Sequence, residues 1–250
     1  MLVFVIALKS PKISTSWEAV SNLFERCIKS ICNQTYQDFQ IVVVCHEKPK
    51  IEFHNSKIHY LEVNLPIPEN NIQSRHLDKA NKLLTGLAYS EKFSPSHVMI
   101  VDADDCISKH IVKYVIQNPH IPGWFINKGY VYREGSKFIY LRSKAFSSLC
   151  GSGIIIKYGL HLKLFKNGIY DHQITCIENS LSLKPLPFAG AVYITQNGEN
   201  IYLDNSRHSQ LQAQLKSKGY IYFIRDLIQY RPLTKKIRTE FGLFKINQLS

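Results

Sequence analysis

The sequence has no long apolar run. Its first apolar stretch, Leu2 to Leu8, is stopped by Lys9 and falls far short of the roughly 18–20 residues that a membrane-spanning helix needs. The stretch also lacks the charged start and small-residue cleavage site of a signal peptide, so a cytoplasmic protein is expected, soluble or peripheral at a membrane. The six cysteines (Cys27, Cys32, Cys45, Cys106, Cys150 and Cys176) contain no Cys-x-x-Cys pair and no zinc spacing. Most sit in apolar contexts, and reduced core thiols are the expectation. Glycine (12) and proline (10) are ordinary in number and show no period, which excludes collagen-like and low-complexity chains. No Gly-rich phosphate loop lies at Leu8–Thr15, which disfavours a nucleotidyltransferase. Acidic residues are scarce: 19 Asp+Glu against 31 Lys+Arg leave a formal net charge of +12. A field of that size implies a polyanionic neighbour, whether nucleic acid, an anionic membrane surface or a phosphorylated substrate. No zinc finger, basic zipper or aromatic-basic strand motif is present, so nucleic acid is not the expected partner.

What is present is a globular composition. Across 250 residues, 45% are hydrophobic, enough to build a core and to exclude a disordered chain. Leu2–Leu8 reads as a buried strand. Trp17, Val20, Leu23, Phe24, Cys27, Ile28 and Ile31 recur at helical offsets and predict an amphipathic helix over 17–32. Strands are predicted at Gln40–Cys45, Ile58–Val63 and His97–Val101, and helices at Leu77–Tyr89 and Lys109–Gln117, the latter N-capped by Ser108. This alternation argues for a parallel α/β sheet, whose ligands bind beyond the carboxyl ends of the strands. The later part is more β-like: strands at 123–127, 128–133 and 137–142, with a turn at Glu134-Gly135-Ser136, then Gly153–Lys157, a helix over 171–180 and a strand over 189–195. From Ser206 the composition shifts. Nine Lys/Arg against Asp226 and Glu240 put a net +7 in residues 206–250, with a helical pattern from Gln210 to Tyr230. The expected division is a catalytic domain over 1–205 and a basic, mainly helical extension over 206–250. That extension either lies on an anionic membrane or packs on the domain with a solvated basic face.

The strongest chemical feature is Val101-Asp102-Ala103-Asp104-Asp105. Three carboxylates in four positions at a strand end repel one another unless a cation sits among them. Hard oxygen ligands at this density suit Mg²⁺ or Mn²⁺, and an ion there would neutralise charge building on a diphosphate. The plain alternative is a solvated acidic turn.

The chain resembles nucleotide-sugar-dependent glycosyltransferases of the GT-A fold, the family-2 type in particular, over residues 1–200. Val3-Phe4-Val5-Ile6 stands where the first nucleotide-binding strand would be. Ser30-Ile31-Cys32-Asn33-Gln34-Thr35-Tyr36 is similar to the ending of the family's first helix, and Phe39–Val44 to the strand after it. Asp78-Lys79-Ala80-Asn81 with Gly86-Leu87 is similar to its second helix, and Val101–Asp105 to its metal motif. The resemblance implies a GT-A, Rossmann-like α/β fold with a mixed central sheet and a C-terminal helical extension. It also implies a metal-dependent, inverting transferase moving a sugar from a nucleoside diphosphate to a hydroxyl acceptor, a glycan or a lipid-linked molecule. By the same resemblance Asp102 and Asp104 serve the Mn²⁺ or Mg²⁺ ion and the donor diphosphate, with Asp104 the direct ligand. Lys79 lies near the donor, though an exposed helix lysine is the bland alternative. Ala7 and Lys9 border the nucleoside.

Two departures stand out. The usual residues after the first strand are replaced by Leu8-Lys9-Ser10-Pro11, and the acidic pair after the second strand by Cys45-His46-Glu47, leaving Glu47 either a base or ribose contact or a surface residue. Family-2 inverting enzymes use a carboxylate at a helix start as base. Asp171, in Gly168-Ile169-Tyr170-Asp171, is the candidate, with a plain helix N-cap as alternative. Gly151 and Ser152 lie in a turn suited to close approach of a sugar or phosphate, or in an ordinary loop. Trp124 stacks on a sugar or sits in the core. His172 and His208 are candidates for a third metal ligand. The competing function is a nucleic-acid- or partner-binding protein on an inactive glycosyltransferase-like fold.

Overall fold

The computed structural model describes residues 1–172, 181–199 and 228–244. A seven-stranded sheet forms the centre. Its parallel part comprises β1 (Leu2–Ala7), β2 (Phe39–Cys45), β3 (Ile58–Glu62) and β4 (His97–Ile100) in the order β3-β2-β1-β4. On the far side of β4 come β9 (Ile154–Lys157), antiparallel to it, β6 (Gly123–Phe125) and β12 (Lys184–Pro185). This is the mixed, Rossmann-like α/β sheet expected of the GT-A class.

Helices α1 (Trp17–Cys32) and α2 (Ile72–Ser90) cover opposite faces. The period of two along β1 decides which residue meets which helix. Leu2, Phe4 and Ile6 pack in one core with Phe24, Cys27, Ile28 and Ile31 of α1, whereas Val3 and Val5 pack in the other with Leu83 and Leu87 of α2. Burial on both faces is why these strands read as unbroken apolar runs. At Gly86 a β-carbon would meet Val5 Cγ1 at 2.7 Å and Val44 Cγ2 at 2.9 Å, so glycine there lets α2 lie close against the sheet.

Between these elements sit β5 (Cys106–Ile107), α3 (Ile111–Ile116), β7 (Lys128–Arg133), β8 (Phe138–Arg142), the hairpin β10 (Phe165–Lys166) and β11 (Ile169–Tyr170), and β13 (Ala189–Thr195). A second, five-stranded sheet has the order β14-β8-β7-β13-β5, its edge formed by β14 (Tyr230–Pro232). The described end of the basic tail is therefore part of a sheet. β14 pairs with β8, and α4 (Lys235–Phe241) follows, buttoned down by Ser30 Oγ donating to Phe241 O (2.6 Å) and Ser108 Oγ donating to Glu240 Oε1 (2.6 Å). Phe241 and Leu243 join Cys106, Tyr132, Ile139, Val192 and Ile194 in a small third core. Most of the expected helices over 171–180 and 210–230, together with Cys176 and His208, lie outside the described residues.

Two local expectations are corrected. Ser108 Oγ accepts from His110 N at 3.3 Å while donating to Glu240, but the helix itself starts two residues later than expected, at Ile111, with His110 at the cap position and no side-chain cap bond. Helix α2 starts at Ile72 rather than Leu77, capped by Asn71, whose side chain accepts from Ser74 N. No helix among the described residues is long and apolar enough to cross a membrane.

Candidate active site

β1 is flanked by β2 on one side and β4 on the other, so the chain leaves the sheet in opposite directions at this crevice, where α/β sheets bind ligands. A cavity of about 520 Å³ opens there. Ala7, Leu8 and Lys9 line it from the end of β1, Asp102 and Asp104 from the end of β4, and Arg75, Asp78, Lys79 and Lys82 from α2.

The three aspartates after β4 have three different environments. Asp102 Oδ1 lies 2.5 Å from Lys79 Nζ, and its backbone N–H donates to Ser152 Oγ at 2.9 Å. Burial opposes the Lys79 ammonium, but the Asp102 carboxylate outweighs it, aided by Asp104 and Asp105, and holds the lysine pKa above its ordinary value. Asp104 accepts from Asn197 Nδ2 at 2.7 Å. Burial and then the Asp102 charge raise its pKa, against the Asn197 hydrogen bond and Lys79. Asp105 is wholly buried. It accepts from Ser152 Oγ (2.6 Å) and Cys150 Sγ (3.0 Å), and burial with the two neighbouring carboxylates lifts its pKa well above the usual range. Asp105 therefore anchors the turn, and Asp102 and Asp104 face the cavity. At Gly151, between the two anchors, a β-carbon would fall 2.5 Å from Asp102 Oδ2, so glycine leaves room for that carboxylate.

A divalent ion fits this donor set. Mg²⁺ and Mn²⁺ are commonly held by one or two carboxylates, the remaining oxygens coming from water and substrate phosphates. No group of three His, Cys, Asp or Glu side chains suited to a metal occurs among the described residues, and the two carboxylates that face the cavity from this turn are Asp102 and Asp104. His172 lines the same cavity. Its Nδ1–H donates to Ser147 O at 2.6 Å, which places the imidazole lone pair on Nε2, and burial lowers its pKa.

Around the carboxylates the cavity holds matched ion pairs. Lys82 is fully buried, donating to Leu8 O (2.9 Å) and Asp78 Oδ2 (2.7 Å); burial depresses its pKa although Asp78 pulls the other way. Lys9 Nζ meets Glu199 Oε2 at 2.6 Å, and Glu199 Oε1 accepts from Ser16 N at 2.7 Å. Because Ser16 is the N-cap of α1, this places a carboxylate at the positive end of that helix. Opposing walls come from the β10–β11 hairpin, turned by Asn167 and Gly168 with positive φ. Tyr170 Oη donates to Gly151 O at 2.6 Å, its ring lies 5.5 Å from Lys79 Nζ, and Asp171 follows it on the cavity surface.

The structure thus brings Ala7, Lys9, Lys79, Asp102, Asp104, Gly151, Asp171 and His172 to one cavity. Three expected contacts are not there. Trp124 is 1% exposed, wedged against His97 and Tyr114, with no face left for a sugar. Ser152 is fully buried, its hydroxyl committed to Asp102 N and Asp105 rather than to a ligand. Glu47 is exposed beyond β2 and does not line the cavity. Asp78 and Tyr170 stand in the quoted motifs without a role of their own, and Lys82 and Glu199 have no local signal; the partner of Glu199, Lys9, is 190 positions away.

No family model and no curated protein matches the chain. Among solved structures, S. aureus TarS residues 1–349 in complex with UDP-GlcNAc is 15% identical, with a TM-score of 0.47 over 80% of this chain and 60% of that one. Francisella tularensis 2-C-methyl-D-erythritol 4-phosphate cytidylyltransferase is 12% identical, with a TM-score of 0.41 over 85% of this chain and 100% of that one. HddC from Yersinia pseudotuberculosis, complexed with GMP-PN, is 14% identical with a TM-score of 0.32 over 78% of this chain and 89% of that one. The chain therefore spans 60% of the TarS fragment's length. At these values none of the three carries a substrate or a reaction over to this chain.

Proposed function

We propose that the chain is a metal-dependent, inverting glycosyltransferase that moves a sugar from a nucleoside diphosphate to a hydroxyl of a glycan or lipid-linked acceptor. One arrangement carries this reading: two carboxylates at the strand end, Asp102 and Asp104, share a cavity with a third carboxylate, Asp171, borne on a separate hairpin. When bound to Asp102 and Asp104, Mn²⁺ or Mg²⁺ supplies Lewis-acid stabilisation of the departing diphosphate. Lys79, already fixed against Asp102, adds a positive charge beside that diphosphate. Ala7 and Lys9 border the nucleoside at the end of β1. Asp171 takes the proton from the acceptor hydroxyl as its oxygen attacks the anomeric carbon. Tyr170 ties the hairpin that bears Asp171 to the loop abutting Asp102 through its bond to Gly151 O. Attraction of the basic tail to an anionic membrane belongs to the same proposal and places the enzyme at a cytoplasmic membrane face.

The test is release of nucleoside diphosphate from a panel of nucleotide sugars with Mn²⁺. Release from one donor, abolished by chelator and by Asp104→Ala, is expected. No release from any donor, or release that persists in excess chelator, contradicts the reading.

A further inference from the structure

Not every cation lining the cavity has an ion-pair partner among the described residues. Five cations (Lys9, Arg75, Lys79, Lys82 and Lys166) face five carboxylates (Asp78, Asp102, Asp104, Asp171 and Glu199). Three pairs close on themselves: Lys9 with Glu199, Lys79 with Asp102, and Lys82 with Asp78. Asp102 and Asp104 are assigned to the metal and Asp171 to proton transfer, and Asp104 also accepts from Asn197 Nδ2. Arg75 and Lys166 are left over, and neither forms an ion pair among the described residues. Among the described residues the Arg75 side chain donates only to the Asn70 side-chain oxygen, and its Nε is buried with no hydrogen-bond partner there. Leaving such a donor unpaired is costly unless a ligand completes it.

The two residues share one side of the cavity. Arg75 is in the first turn of α2, and Lys166 is in β10, paired with Ile169 of β11, the strand against which α2 packs. Asp171 follows directly on β11, so this is the side from which the acceptor hydroxyl must come. A guanidinium fork and an exposed ammonium lining the same cavity are a donor set that phosphate oxygens suit.

We propose that Arg75 and Lys166 form an anion subsite for a phosphate carried by the acceptor, so that the acceptor substrate is phosphorylated. The proposal rests on the glycosyltransferase reading for which side is the acceptor's, and its test separates the two. Glycerol 3-phosphate and glycerol are titrated calorimetrically into the full chain with Mn²⁺, with and without UDP or GDP, for the wild type and for Arg75→Gln/Lys166→Gln. Neither side chain is in a core, so the variant is expected to keep the wild-type melting temperature. The wild type is expected to bind glycerol 3-phosphate at least tenfold more tightly than glycerol, with the nucleotide present as well as absent. The double variant loses that tenfold preference and keeps its affinity for the nucleotide. Equal binding of glycerol and its phosphate, or a preference that survives in the variant, overturns the proposal. So does competition by the nucleotide, or nucleotide affinity that falls in the variant, since the two cations then serve the donor diphosphate. If neither nucleotide binds, the donor reading fails, and the comparison of glycerol 3-phosphate with glycerol still decides whether the anion subsite exists.

Discussion

The two sheets differ in how they are covered. The central strands of the seven-stranded sheet, β1, β2 and β4, are buried on both faces, by α1 and α2, whereas its edges β3 and β12 are not, and the strand ends supply Ala7, Lys9, Asp102 and Asp104. The five-stranded sheet joins the main core only through Ile107 of β5 and Ala191 and Tyr193 of β13, and has a small core of its own, closed by Phe241 and Leu243. Its strand β14 is exposed throughout, as is Phe138 opposite Pro232. Fixed geometry for charged groups comes from the first sheet. The second contributes fewer cavity-lining side chains, Tyr193 among them, and braces the acidic turn, since Asp105 also accepts from Ile194 N of β13 at 3.4 Å.

Core truncations separate the two most sharply. Phe4→Ala, which empties a fully buried site beside Phe39, is expected to cost about 3–5 kcal/mol of global stability in urea unfolding. Phe241→Ala is expected to cost about 3 kcal/mol, with amide-exchange protection lost first in β14 and α4. A uniform loss of protection across both sheets in the second variant would break the distinction.

The hairpin comes next. Asp171→Asn is expected to lower transfer by about 10²–10⁴-fold, the range of general acid–base catalysis, with donor binding retained. Turnover equal to wild type would remove Asp171 as base. The smallest effect concerns the brace. Ser152→Ala takes a donor from buried Asp105 and an acceptor from Asp102 N, for about 1–3 kcal/mol of stability. Mn²⁺ affinity, read by calorimetry, is expected to fall with it, because the Asp102 turn loses its anchor. Ser143→Ala, an exposed position just before the same loop, is expected to change stability by less than about 0.5 kcal/mol. Equal responses from the two serines would mean that Ser152 anchors nothing.

The contrast also explains what could be read in advance. β1, β2, β4 and α1 were legible because burial on both faces of a sheet, or on one face of a helix, writes an apolar period into the sequence. The first turn of α2 was not. Asn71, Ile72 and Gln73 are exposed and Arg75 and His76 face the cavity, so the apolar period begins only at Leu77. The turn that the pattern does not show is thus one that lines the cavity. The acidic turn was legible as a cluster, yet nothing local distinguishes buried Asp105 from Asp102 and Asp104. Ser108, Ser152 and Trp124 were misplaced for a related reason. Partners such as Glu240, 132 positions from Ser108, are set by topology and leave no trace in local spacing.

Thermal unfolding with nucleoside diphosphates, with and without Mn²⁺, for wild type and Asp104→Ala, tests the central claim most directly. A ligand at a hundred times its Kd stabilises the folded state by about 2.7 kcal/mol. The wild type is expected to gain a melting-temperature increase from one nucleotide and a further increase when Mn²⁺ is added, and Asp104→Ala to lose the metal's share while keeping its unliganded melting temperature. No shift with any nucleotide, or a metal increment that survives in Asp104→Ala, would contradict the account.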